Sequence, residues 1–151
     1  MRALPVVWSN DPERVGEGLS LLAQATTIEP NYPLALSLAS WCHAQQVIYL
    51  RSHDPTRDRE TAVSLAQRAA RLDSDDPLVL TALSAAYTLV RRLDLAGPLL
   101  EKALVIDPNS AWAWQRSGWL KVYLDEPDLA LQQFERSSAH SIRSGSIRSS
   151  V

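Results

Sequence analysis

The residues that could do chemistry in this chain are His43, His53, His140, the single cysteine Cys42, and the carboxylate run Asp73-Ser74-Asp75-Asp76. Metal binding or acid–base catalysis needs such groups to converge, and no two histidines stand at the spacing that puts two ligands on one helix face. His43 adjoins Cys42, but neighbours on a helix point about 100° apart and cannot share an ion. The acidic run lacks the turn glycine and the closing glutamate of a calcium loop, so helix capping explains it better. Gly16-Glu17-Gly18 has no third glycine and no preceding strand, and neither a phosphate-loop lysine motif nor a nucleophile elbow occurs. Cys42 has no orienting partner for nucleophilic work. The expectation is no catalytic residue, no metal and no cofactor.

The unusual side chains are the five tryptophans, Trp8, Trp41, Trp112, Trp114 and Trp119. Trp112 and Trp119 are seven residues apart and share a helix face. Two readings are open: the indoles pack against one another or an extra helix, or they stand exposed as anchors for a partner.

The elements that would position them follow from an internal repeat with a period of 34 residues, seen by laying Pro77–Ser110 over the stretch that begins at Ala111. The first unit carries Leu80, Leu83, Ser84, Tyr87, Ala96, Leu100, Ala103 and Pro108. The second carries Trp114, Gly118, Ala130, Phe134 and Ser137, with Ser117 and Lys121 where leucine and an aromatic belong. Upstream, Glu29-Pro30-Asn31 punctuates the chain as Asp107-Pro108-Asn109 does. A hairpin over 33–73 then shows Leu36, Ala39, Ser40, Ala62, Ala66 and Ala69 in register, with a surplus of about ten residues. That surplus is placed in a longer first helix and a polar loop, Arg51 to Arg59.

Helix starts are marked by Asp11-Pro12 and Asp76-Pro77, an N-cap acceptor before a proline whose missing N–H costs nothing in the first turn. Pro98 requires its helix, read as 95–106, to begin no earlier than about Asp94, the expected cap. The reading is therefore all-α, about seven helices: a helix over 11–27, hairpins over 33–73, 77–108 and 111–139, and a disordered polar tail over 140–151.

With 46% hydrophobic and 21% charged residues in 151, the chain belongs with globular proteins. A net charge of -2, from 15 basic and 17 acidic residues, provides no field for nucleic acid or an anionic membrane. No apolar run approaches the roughly 18 residues of a membrane span, and a lone cysteine gives no internal disulfide. A soluble, cytoplasmic protein is expected.

These units resemble the tetratricopeptide repeat family over roughly Asp11 to Ala139, most specifically over Pro77 to Phe134. Trp41-Cys42-His43, Pro108-Asn109-Ser110-Ala111-Trp112, Ser117-Gly118-Trp119 and Phe134-Glu135-Arg136 are similar to repeats of bacterial signalling proteins that follow a nucleotide cyclase or winged-helix domain. The resemblance implies a right-handed superhelix of antiparallel hairpins that scaffolds or regulates, here as a fragment or stand-alone relative. Its concave face would carry Trp41, Leu78, Thr81, Ala85, Trp112, Gln115, Trp119 and Tyr123 and bind a protein or peptide segment. None of these is cationic, so an acidic peptide end is not expected and charge should matter little. The competing function is the sensing of a small apolar effector. Incompletely capped ends would leave apolar faces open to homodimerisation.

Overall fold

The computed structural model describes the backbone of residues 12–149 and the side chains of residues 13–141. Seven helices occupy the described residues: α1 (Pro12–Ile28), α2 (Pro33–Ile48), α3 (Pro55–Ala70), α4 (Pro77–Leu89), α5 (Leu93–Ile106), α6 (Ala111–Tyr123) and α7 (Pro127–Ser149). Proline opens α2, α3 and α4 in their first turn. Side-chain caps follow where the sequence provides an acceptor. Leu78 N donates to Asp76 Oδ1 at 2.9 Å, Arg57 N to Asp54 Oδ1 at 3.1 Å and Ala113 N to Ser110 Oγ at 3.2 Å. Asp11, the other expected cap, lies outside the described residues.

Asp94 is not the cap of α5. That place is taken by Arg92, which makes no side-chain capping bond, and Asp94 sits in the first turn paired with the Arg92 guanidinium at 3.2 Å. An arginine can hold the cap because the preceding turn already sets its backbone. Leu50, Arg91 and Asp125 each stand two residues beyond a helix in the left-handed region, at φ 54°, 66° and 58°. The next amide then reaches back five residues, Arg51 to Gln46, Arg92 to Tyr87 and Glu126 to Lys121, at 2.8–2.9 Å. This is a Schellman-type stop. The same turn thus closes α2, α4 and α6 with three different residues, so the repeat lies in the backbone bonds more than in the residue types.

Within a hairpin, small residues set the approach of its two helices. Ser40 Oγ donates to the Ala62 carbonyl at 2.6 Å, and Ser84 Oγ to the Ala96 carbonyl at 2.9 Å, both buried. The corresponding position of the third hairpin is Gly118, which has no hydroxyl. There the ring of Phe134, at the register position of Leu100, leans into the space beside the glycine. Leu80, Leu83, Tyr87, Ala96, Leu100, Ala103 and Ala130 are all buried. Trp114 is half-buried, its Nε1 donating to the Pro108 carbonyl at 2.8 Å. Stacking is sequential. α1 packs on α2, α2 on α4 and α4 on α6, while α3, α5 and α7 pair with the helices before them and α3 and α5 also touch the next hairpin.

The surplus of the first hairpin includes the expected longer first helix, but the second helix is longer too and the loop is shorter than 51–59. α2 and α3 have 16 residues each against 13 in α4 and 14 in α5, and α3 already begins at Pro55. Only 49–54 are loop, anchored by a three-residue chain: His43 Nδ1 lies 2.7 Å from Asp58 Oδ1, and Ser52 Oγ donates to Asp58 Oδ2. Serine on the carboxylate rather than on the imidazole is not a nucleophilic arrangement; it ties the loop to α2 and α3. Burial works to raise the Asp58 carboxyl, but the bonds from Ser52 and His43 and the charges of His43 and Arg57 outweigh it and hold the group below its ordinary value. A carboxyl so lowered contributes stability that is present above its unfolded value and lost as pH falls through the folded one. The urea midpoint is therefore expected to decline on acidification below the usual carboxylate range. Asp58→Asn should flatten that decline, and an identical decline in the variant would contradict the tie.

The polar segment 140–149, expected to be disordered, continues α7 as helix. Extending a nucleated helix adds a hydrogen bond per residue fixed, and this stretch contains no proline to stop it.

Candidate functional site

The first helices of the three hairpins, α2, α4 and α6, lie side by side and form one face of the stack. Residues one turn apart on each helix make three stripes: Trp41, Gln45 and Ile48 on α2, Thr81, Ala85 and Thr88 on α4, and Trp112, Arg116, Trp119 and Tyr123 on α6. The middle stripe is small, which makes α4 a floor and lets the large residues of α2 and α6 meet above it. They do meet: the Trp41 and Trp112 rings lie 5.4 Å apart at 56°.

That contact divides the face in two. Trp41 is only 5% exposed, and Trp112 is half-buried on the core, so these indoles close one part of the groove against each other. Trp41 is therefore no open anchor. Thr81 is buried with its hydroxyl donating to the Pro77 carbonyl at 2.7 Å, Leu78 is half-buried against the core, and Gln115 is exposed outside the cavity lining.

Beyond the indole pair the groove opens into a cavity of about 140 Å³ lined by Ile48, Tyr49, Ala85, Thr88, Leu89, Arg116, Trp119 and Tyr123. Three of the eight residues expected on the concave face thus line it: Ala85, Trp119 and Tyr123. Trp119 is 44% exposed and is steadied from behind by an edge-on contact with Phe134, the ring centroids 5.7 Å apart. A cavity of this size admits one aromatic ring or branched aliphatic side chain.

Sequence reasoning missed Arg116. It chose the neighbouring Gln115, although Arg116 precedes Trp119 by three residues and Tyr123 by seven and so belongs to their stripe. The guanidinium lies over the Trp41 ring at 5.8 Å. Its Nε is shut off from solvent with no hydrogen-bond acceptor among the described residues, as is Trp41 Nε1 on the facing stripe, where Gln45 Oε1 is likewise shut off with no donor. Burial holds the guanidinium below its ordinary value, with the nearby Tyr49 and Tyr123 acting the other way. The residues expected on this face include no cation, and Arg116 is one that lines the cavity.

An arginine shielded without a counter-ion costs folding free energy, and an apolar side chain of similar length removes that cost. Arg116→Met is accordingly expected to raise the stability of the free protein by about 1–2 kcal/mol, read as a higher urea midpoint at unchanged slope. A lower midpoint would mean that Arg116 is satisfied within the fold. Elsewhere, burial pushes the Cys42 thiol up to about 12, so it is neither nucleophile nor thiolate ligand near neutrality. No group of three His, Cys, Asp or Glu residues that could hold a metal ion occurs among the described residues, and no described helix is long and apolar enough to cross a membrane.

The chain is similar in structure to the C2 crystal form of MamA MSR-1, with a TM-score of 0.55 and 19% identity over 86% of this chain and 69% of that one. It is similar also to the P212121 form of MamA AMB-1, with a TM-score of 0.55 and 17% identity over 83% and 69%. MamA is a tetratricopeptide-like helical repeat protein. The fold here is of that type. No protein-family model matches the chain, and no curated protein matches it.

Proposed function

We propose that this chain is a protein-interaction module that holds a partner segment on the face formed by α2, α4 and α6, with no chemistry of its own. The observation that carries this reading is Trp119: a large aromatic, 44% exposed, held by Phe134 at the mouth of a cavity to which all three hairpins contribute. Anchors of this type supply most of the energy of an interface, because a rigid aromatic buries much area at little conformational cost. Consecutive hairpins bring residues far apart in sequence onto one surface, which suits an extended or helical segment. The scaffold-like fold shared with MamA supports the class of function, while a role in bacterial signalling, in the cytoplasm, rests on the sequence resemblance. Selection of a random peptide display library on the immobilised chain tests the reading. Recovered sequences should share a bulky apolar residue and lose binding to Trp119→Ala; recovery of peptides that bind both proteins equally would contradict it.

A second reading, the sensing of a small apolar effector, is favoured by the size of the cavity. It predicts binding of free small molecules in the absence of any peptide ligand.

A further inference from the structure

We propose that the segment held in this groove carries a carboxylate within one or two residues of its apolar anchor, and that Arg116 reads it. The inference rests on the peptide-binding reading above and adds the chemistry of the ligand.

Among the described residues, three cations are paired with carboxylates: Arg92 with Asp94, Lys102 with Asp75 and Lys121 with Glu126. Arg116 has no such partner among the described residues, although it is the one whose Nε is closed off from water. It lines a cavity with no aspartate or glutamate in its wall. Two further guanidinium groups, both exposed, lie over lining residues: that of Arg51 5.5 Å from the centre of the Tyr49 ring and that of Arg91 4.9 Å from the centre of the Tyr123 ring.

A guanidinium presents a planar fork that matches a carboxylate with two parallel hydrogen bonds, and a shielded setting strengthens such a pair. The charge count selects among anions. One shielded cation neutralises a monoanion, whereas a phosphate dianion would keep a charge uncompensated in the apolar wall. Room for a single ring or branched side chain beside Arg116 then fixes the second requirement, an apolar residue close to the acid.

Three pools of acetylated, amidated heptapeptides test this, with Glu-Phe, Gln-Phe or phosphoserine-Phe at the centre and mixed residues elsewhere. A fourth pool ends in phenylalanine with a free C-terminus. Binding is measured by calorimetry at about 0.15 M salt, where long-range charge effects are screened. The Glu-Phe pool or the free-terminus pool should bind at least tenfold tighter than the Gln-Phe pool, and which of the two does so tells side-chain from terminal carboxylate. Arg116→Gln and Arg116→Met, both checked for helical content, should abolish the preference while keeping the weaker apolar binding, and Arg116→Lys should retain part of it. The inference is overturned by equal binding of the acid and amide pools, by tighter binding of phosphoserine, or by a preference that survives in Arg116→Gln. Equal binding that is nonetheless lost in Trp119→Ala overturns the role of Arg116 and leaves the peptide-binding reading standing. Failure of every pool, with N-acetylphenylalanine binding above its amide, overturns the peptide as occupant, and failure of all probes overturns both.

Discussion

Gly118→Leu is expected to lower the stability of this protein by about 1–3 kcal/mol, the largest loss among the substitutions considered, although it replaces a poor helix former with a good one. A Cβ at this position would stand 2.5 Å, 2.6 Å and 2.8 Å from Cε1, Cδ1 and Cζ of Phe134, distances at which the ring or the helix must move. The cause is a paired change in the third hairpin. Where the second hairpin has Ser84 bonded to the Ala96 carbonyl with Leu100 one turn on, the third has Gly118 and the bulkier Phe134. The double variant Gly118→Ser with Phe134→Leu should therefore recover much of what Gly118→Ser alone loses, because it rebuilds the arrangement of the second hairpin. Urea unfolding checks both results. An unchanged midpoint for Gly118→Leu, at unchanged slope, would refute the register of α6 on α7. Phe134 also supports Trp119, so the same substitution should disturb the groove without touching a ligand.

What the sequence made legible is whatever depends on one helix at a time. The cap Asp76, the 34-residue period and the alanines buried between paired helices follow from local spacing, and each is found in place. Asp94 failed as a cap because the αL turn at Arg91, a backbone feature without a glycine to mark it, had already fixed where α5 starts. The groove was harder to read for a related reason: its contents are set by contacts between helices. Trp41 and Trp112 lie on different hairpins, and only their meeting over the small residues of α4 shows that half of the aromatic face is filled by the protein itself. Arg116 was legible in principle, from its stripe with Trp119 and Tyr123. Its lack of a counter-ion was not, since pairing depends on which carboxylates the fold brings within reach.

The measurement that bears most directly on the account is calorimetric titration of a library-selected segment into the wild-type protein and into Trp119→Ala, with melting temperatures recorded for both. Truncating an exposed anchor removes contacts with the ligand and few within the fold. The predicted result is thus a loss of about 2 kcal/mol or more in binding with the melting temperature nearly unchanged. Equal affinities for the two proteins would contradict the assignment of the groove, and a matching fall in melting temperature would show that Trp119 serves the fold rather than a partner.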